Sequence, residues 1–456
     1  SSAPGGGKPP RISGVMSEVS TPRRSPVAWV PTLYFAEGLP FYAVNYMALL
    51  FYQGIGIDNA KTAFVVSMLA WPWTLKPVWS PLLEMYRTKK FFVVLMQLLG
   101  GAGLLLLALA LPLPGAFAWS IAILSLVAFA SSTHDIAADG VYIASLSAKE
   151  QAAYAGWCGA FYNVARIFSM GGLIALAGLL QARFAGAGAE GPVVRAWMVI
   201  FAGLGAILVA LAAWHARVLP TGGASRRQES LRQVAATFWD VLVTFFRKRN
   251  VLLLLLFIFL YRAGEGQVIK VGPLFLQADR ASGGLGLSLQ EFGTIYGTFG
   301  SAAFILGSVL GGYFVSWLGL KRALLPLVLV LNVPMLAYWY LAVALPTSPL
   351  PVTVALSVEM FGYGFGFVGV ILLIMQEIAP GPYQTAHYAI GGALMNLGVI
   401  LPGAVSGFVQ QKLGYPGFFL WVLASAVPAM AMARFLPIGR GAGSQEDARG
   451  GQGGEQ

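Results

Sequence analysis

The sequence is short of charge. Only 10% of its 456 residues are Asp, Glu, Lys or Arg, while 57% are hydrophobic and the mean hydropathy is +0.72. A soluble domain carries about a quarter charged residues, so a water-soluble globule is excluded and a membrane protein remains. Cysteine is scarcer still. The single thiol, Cys158, lies in an apolar run, which leaves neither a disulfide framework nor a cysteine metal site. His134, His215 and His387 show no zinc-ligand spacing, and no metal or cofactor is expected. There is no Gly-x-x-x-x-Gly-Lys loop, nucleophile elbow or His-Glu-x-x-His helix, so neither an ATP-driven pump nor an enzyme is supported.

The charge that is present has a pattern. The formal net charge of +11 would suit a nucleic-acid binder, but the basic residues collect in alternate loops, which is a topology signal. Residues 1–26 are rich in Gly, Pro and Ser, carry Lys8, Arg11, Arg23 and Arg24, and lead into no signal-peptide core. They read as a disordered cytoplasmic tail, with Met16 an alternative start. Apolar segments of roughly 20 residues follow, each long enough to cross about 30 Å of hydrocarbon. We place them at Val27–Gln53, Ala60–Leu83, Phe91–Pro112, Ala116–Leu146, Gln151–Leu180 and Val193–Val218. After a polar, basic connection over 219–249 come Asn250–Gln277, Leu289–Leu318, Arg322–Leu345, Val352–Ile378, Gln384–Lys412 and Gly417–Leu436. The expected organisation is an all-α membrane protein with twelve transmembrane helices in two pseudo-symmetric six-helix bundles, 27–218 and 250–436, and a disordered tail over 437–456. Of the loop and tail cations, Lys61, Arg183, Arg195, Arg280 and Lys412 fall on one side and all the others on the opposite side. That asymmetry predicts that both termini are cytoplasmic.

The halves repeat one another. Gln151-Ala-Ala-Tyr154, Gly159-Ala160, Asn163 and Ile167 match Gln384-Thr-Ala-His387, Gly392-Ala393, Asn396 and Ile400 without a gap. Glu37-Gly38 is echoed by Glu265-Gly266, and the basic loop Arg87-Thr-Lys-Lys90 by Lys321-Arg322. This layout resembles the major facilitator superfamily, which implies a substrate held between the halves near the bilayer midplane.

Polar groups inside the spans mark the candidate site. The fourth span holds Phe129-Ala-Ser-Ser-Thr-His-Asp-Ile-Ala-Ala-Asp-Gly-Val-Tyr142, in which Ser131, Asp135, Asp139 and Tyr142 share one helical face. Ionised groups there cost on the order of 3 kcal/mol each on insertion, so that face lines a bundle interior or a wet cavity. Glu37 and Asn45 lie in the first span, Lys76 in the second, Asn163 and Arg166 in the fifth, Arg262, Glu265 and Lys270 in the seventh, and Glu359 and Tyr363 in the tenth. Asp135 or Asp139 is expected to pair with Arg166 across the short turn between spans, and Arg262 with Glu265 at a spacing of three. Such pairs are either fold-stabilising bridges or gates that protonation of a carboxylate opens. Desolvated carboxylates can titrate in the working range, and an imidazole such as His134 does so unaided. Proton-coupling candidates are therefore Asp135, Asp139, His134, Glu37, Glu265 and Glu359. Substrate-binding candidates are Lys76, Arg166, Asn163, Arg262, Lys270, Asn45, Tyr142 and Tyr363. His387 reads as a polar packing residue. Phe361, Tyr363, Phe365, Phe367, Trp71 and Trp73 are either packing or faces for sugar rings.

Three stretches resemble the AmpG-type muropeptide permeases, in the peptide, acetyl-coenzyme A and drug transporter branch of the superfamily. They are Glu37-Gly-Leu-Pro-Phe-Tyr followed by Gly56-Ile-Asp58, Lys76-Pro-Val-Trp-Ser-Pro-Leu-Leu-Glu84, and His134-Asp-Ile-Ala-Ala-Asp139 with Glu150-Gln151 downstream. The resemblance covers about the first 170 residues well and is weak beyond the linker. It implies proton-coupled import of N-acetylglucosaminyl-anhydro-N-acetylmuramic acid and its peptide forms through a bacterial inner membrane during cell-wall recycling. Asp135 and Asp139 take the places of the family's paired aspartates, and Lys76 that of its lysine. His134 stands where the family has Gln, Glu84-Met85 where it has Asp-Arg, and some members have fourteen spans. The partners expected are the bilayer, an anionic sugar-peptide and protons, with no nucleic acid and a monomer as the default. The alternatives are transport of another anionic metabolite (acyl-coenzyme A, siderophore or drug) or a non-transporting membrane receptor.

Overall fold

The computed structural model describes residues 25–85, 87–222, 231–380 and 383–438. The tails expected over 1–26 and 437–456 lie outside that range except for Ser25–Pro26 and Pro437–Ile438, as do residues 223–230 of the expected linker. The side chain of Glu84, in the family-like loop, also lies outside the description.

The described chain is helical throughout. Rod α1 covers 30–54, built from Val30–Tyr42, a π-helical turn Ala43–Met47 and Ala48–Gly54. Rod α2 covers 59–85, as Asn59–Leu69 and Trp71–Met85 with a break at Ala70. Next come α3 (Lys89–Ala110) and α4 (Ala116–Ser145). Rod α5 (148–186) has the π segment Ile167–Leu173 at its middle, and α6 is Pro192–Val218. Helix α7 (Leu231–Phe246) occupies the connection read from sequence as merely polar and basic. Beyond it lie α8 (Val251–Gln277), α9 (Leu289–Leu318), α10 (Leu320–Ala344) and α11 (Pro349–Ile378). A final stretch, Gln384–Ala433, is divided by Gly414, whose φ of 65° and ψ of 175° are not helical, into α12 (384–413) and α13 (415–433). Among the described residues, nine stretches are long and apolar enough to cross a membrane by length and composition. Rods α1 and α2, which carry the breaks and several polar residues of the site, fall outside that set.

Local chemistry explains where the rods begin. Asp58 caps α2 by accepting from Lys61 N at 2.9 Å, and Thr88 caps α3 by accepting from Phe91 N at 3.3 Å. Ser147 with Glu150 and Ser288 with Glu291 form reciprocal capping boxes that start α5 and α9.

Packing divides the rods into two sets. In the first, α3 packs on α4 and α6, and α1 on α4 and α5. In the second, α8 packs on the final helical stretch and α11 on α9 and α10. With lipid tails as apolar as leucine, close crossing depends on small residues. Gly101 and Gly205 allow it between α3 and α6, because a Cβ on either would lie within 3 Å of the other's carbonyl oxygen.

The two sets meet along α5 with α9 and along α2 with α12. One end of the bundle, which we term the near end, holds the start of α1 and the α2–α3, α4–α5 and α6–α7 connections. The far end is its opposite. At the far end the sets are locked together. A Cβ on Gly407 would lie 2.5 Å from Ala60 Cα, and one on Gly178 would lie 2.6 Å from Gln290 N. Asn59 Nδ2 donates to Gln410 Oε1 and Tyr415 OH, both at 2.9 Å. Gln53 Nε2 donates to Leu274 O at 2.7 Å, and Gln411 Nε2 to Asp58 Oδ1 at 3.1 Å. Toward the near end, Gly156, Gly159 and Gly392 meet no atom within 4 Å of a built Cβ.

Candidate functional site: a cationic cavity beside a carboxylate crevice

A cavity of about 340 Å³ lies between the two sets of rods. The irregular middle of α1 sets one wall, where Phe41, Tyr42, Asn45 and Tyr46 flank or occupy the π turn. A π turn re-aims side chains that a regular helix would stack. Asn163 and Arg166 enter from α5, Arg262 and Lys270 from α8, Tyr363 and Phe367 from α11, and Asn396 from α12. The repeated asparagines of the two halves thus meet on one cavity. Gly159 and Gly392 lie one turn toward the near end on the same faces, and a Cβ at either would meet nothing within 4 Å.

Three cations and no carboxylate line this cavity. Arg262 is held within its own helix: its Nε donates to Glu265 Oε2 at 2.9 Å and its NH2 group to Oε1, a two-pronged pair with both side chains nearly fully buried. Its guanidinium also sits 5.1 Å from the Phe367 ring centroid. Arg166 lies over the Phe304 ring, 4.2 Å from the centroid, with NH2 3.5 Å from Met360 Sδ. Lys270 is 2% exposed. Among the described residues neither Arg166 nor Lys270 has an acidic partner.

The predicted pairing of Asp135 or Asp139 with Arg166 does not form. Arg166 takes aromatic and sulfur neighbours, and Lys76 Nζ lies 3.7 Å from Asp135 Oδ2 instead. Lys76 keeps 35% of its side-chain surface open, whereas Asp135 keeps 10%. Asp135 Oδ1 and Glu37 Oε2 are buried without a hydrogen-bond partner. Asp139, one turn toward the near end, is exposed and accepts from Tyr34 OH at 3.0 Å. Glu37, Asp135, Asp139 and Lys76 act on one another electrostatically. They form a crevice of three carboxylates around one ammonium, inside the first set of rods.

Other expected site residues lie elsewhere. Tyr142 donates to Gln151 O at 2.5 Å, tying α4 to α5, and does not line the cavity. Glu359 is buried on α11, with Oε2 unpartnered and 3% of its surface exposed. His134 points away from the carboxylates: its Nε2 is 2.9 Å from Gln97 Nε2, whose Oε1 is 2.9 Å from His215 Nδ1, and His215 Nε2 is 3.0 Å from Thr32 Oγ1. With the Gln97 amide turned over, each link has one donor and one acceptor with both imidazoles neutral, so the chain works as a polar clamp joining α1, α3, α4 and α6. His387 is fully buried against α7. Of the aromatics read as sugar-facing, Trp73, Tyr363 and Phe367 line the cavity, whereas Phe365 packs on Phe314 of α9. Sequence reading missed Tyr42, Tyr46, Tyr162 and Asn396. The repeat alone signalled Asn396, as the counterpart of Asn163.

Residues 32–401 match the family model of the Major Facilitator Superfamily. The chain belongs to this superfamily. Among curated superfamily relatives, it is 27% identical over 405 residues to the anhydromuropeptide permease of Escherichia coli (strain K12), covering 88% of this chain and 77% of that one. It is 23% identical over 372 residues to the putative transporter AmpG 3 of Rickettsia typhi (strain ATCC VR-144 / Wilmington), covering 78% and 83% respectively. Solved superfamily structures share the fold. The D-xylose-proton symporter superposes with a TM-score of 0.67 at 12% identity, covering 90% of this chain and 97% of that one. A bacterial homologue of the human lysosomal transporter Spinster, inward-facing and unoccupied, gives 0.65 at 16%, covering 91% and 94%. The protein is therefore a multi-pass membrane transporter.

Proposed function

We propose that this chain imports an anionic cell-wall sugar-peptide, N-acetylglucosaminyl-anhydro-N-acetylmuramic acid with or without its peptide, across the bacterial cytoplasmic membrane together with protons. The observation that carries the reading is the cavity wall: three cations, two of them without an acidic partner among the described residues, among aromatic rings and three asparagine amides, and no carboxylate. A buried cation without a counter-ion favours a ligand that brings one. Lys270 and Arg166 meet the carboxylates of the ligand. Arg262, already neutralised by Glu265, fixes the shape of the wall. Trp73, Tyr162 and Tyr363 offer faces to sugar rings, and Asn45, Asn163 and Asn396 offer amides to hydroxyl and acetamido groups. The anhydromuropeptide permease named above supports this choice of substrate.

The carboxylate crevice carries the protons. Three carboxylates share one ammonium, so a proton on Asp135 or Glu37 relieves a charge that Lys76 cannot match alone. Proton arrival on Asp135 loosens Lys76, and its loss at the near end, where Asp139 is open to water, restores the pair. Alternation follows as the far-end seam of α5 with α9 and α2 with α12 parts and a near-end seam forms. The near end is cytoplasmic in this reading, and the protein acts as a monomer. Uptake of labelled anhydro-muropeptide into proteoliposomes, with and without an inward proton gradient, tests the proposal. Accumulation only with the gradient is expected, and sealed, folded vesicles that take up none would remove muropeptide as the substrate.

A further inference from the structure

Helix α7 has an apolar arc wider than the bundle covers. Projected at 100° per residue, Val241, Phe245, Phe238 and Leu242 run on into Ala235, Phe246, Trp239 and Val243, an arc spanning roughly half the helix or more. The bundle takes only the first part. Val241 and Phe245 are buried, and the Phe245 ring meets His387 of α12 at 5.6 Å. Much of the rest is open: Trp239 is 68% exposed and Phe246 49%, Ala235 is exposed, and Val243 is half-buried.

The helix is also fixed in this pose. Tyr383 OH donates to Asp240 Oδ2 at 2.6 Å, and His387 Nε2 lies 3.2 Å from both Thr244 Oγ1 and Val241 O. Lys248, just beyond the helix, donates to Ile378 O and to Pro380 O, capping the end of α11. A helix held at so many points on one side cannot turn its exposed aromatic stripe inward. The acid within α7 is Asp240, already engaged by Tyr383, while Arg232, Arg247 and Arg249 are exposed on or beside the helix. Only a few residues separate Phe246 from Val251, where α8 begins its run toward the far end, so the C-terminal end of α7 sits at the near-end mouth of that span.

A short amphipathic helix with aromatic residues on its apolar face and arginines around it, joined directly to a membrane span, has the composition of a segment lying in the lipid interface. We propose that α7 is a membrane-surface anchor. Its outer apolar stripe enters the headgroup region of the near-end leaflet, and Arg232, Arg247 and Arg249 bind the phosphates of anionic lipids there. The occupant is the lipid leaflet rather than a protein, because the helix joins directly to a transmembrane span and the exposed charges on and beside it, Arg232, Arg247 and Arg249, are basic. Through Tyr383 and His387 the same helix grips the near end of α12, which ties this rod to the membrane plane.

The test uses the full-length chain carrying Cys158→Ser, spin-labelled at one new cysteine and placed in nanodiscs of phosphatidylcholine or of phosphatidylcholine with phosphatidylglycerol. Labels at Ala235→Cys and Val243→Cys should relax strongly with oxygen and weakly with an aqueous nickel chelate, and a label at Gln233→Cys should do the reverse. Adding phosphatidylglycerol should raise the oxygen-to-nickel ratio at Ala235 and Val243 several-fold, and replacing Arg232, Arg247 and Arg249 by Gln should abolish that rise. Labels at Ala235 and Val243 as open to nickel as the one at Gln233, in both lipids, would overturn the anchor. Equal immersion in both lipids would overturn the role given to anionic headgroups.

Discussion

Two acid–base pairs among the described residues are built on opposite plans. Arg262 and Glu265 belong to one helix, meet two-pronged, and are both nearly sealed from water. Lys76 and Asp135 come from different rods, stand 3.7 Å apart, and leave the lysine a third open. The first pair is two-pronged within one helix and sealed from water, so it acts as a fixed part of the wall. The second has rival carboxylates at Glu37 and Asp139 and a path to water, so its partners can exchange. Under the proposed function the first pair shapes the site and the second switches.

The largest expected effect is on the fixed pair. Glu265→Ala leaves a guanidinium buried without its acid and should destabilise the protein by about 3–5 kcal/mol. Asp135→Ala should cost about 1 kcal/mol or less, because Lys76 reaches water. Thermal unfolding in detergent measures both, and equal losses would erase the distinction. Next comes coupling. Asp139→Asn should lower gradient-driven accumulation by about 100-fold, the scale of losing a positioned proton carrier, with the unfolding temperature unchanged. Wild-type accumulation in that variant would sink the role of the crevice. A smaller effect is expected at the cavity: Lys270→Gln should raise KM about 10-fold, near 1.4 kcal/mol, without altering the pH dependence of uptake. Least of all, Tyr34→Phe removes one hydrogen bond to Asp139, worth about 1 kcal/mol. It should change the uptake rate a few-fold and move the pH midpoint of transport, seen by measuring uptake across a pH series.

Hydropathy made the rods legible, because each apolar run needs about 20 residues to cross and carries few charges. The Arg262–Glu265 pair was legible too, since a spacing of three on a helix is itself a contact rule. The partner of Asp135 was not, because proximity in sequence favoured Arg166 across a short turn, while the fold brings α2 against α4 and aims Arg166 at Phe304. His134 misled for a related reason: its neighbour in sequence, Asp135, is about 100° away around the helix, and its real partner is Gln97 on α3. Helix α7 escaped notice because its arginines dominated a stretch whose apolar residues recur at helical spacing.

One feature of the cavity governs how cargo must travel. Asn163 and Asn396 face it from equivalent positions in the two halves, yet the cations beside them are not equivalent: Arg166 stands three residues beyond Asn163, whereas Val399 occupies the matching place beyond Asn396. The amides are related by the repeat and the cations are not: Arg166 comes from the first half, Arg262 and Lys270 from the second. Under the proposed function, a molecule acidic at one tip therefore meets different cations according to which half that tip faces.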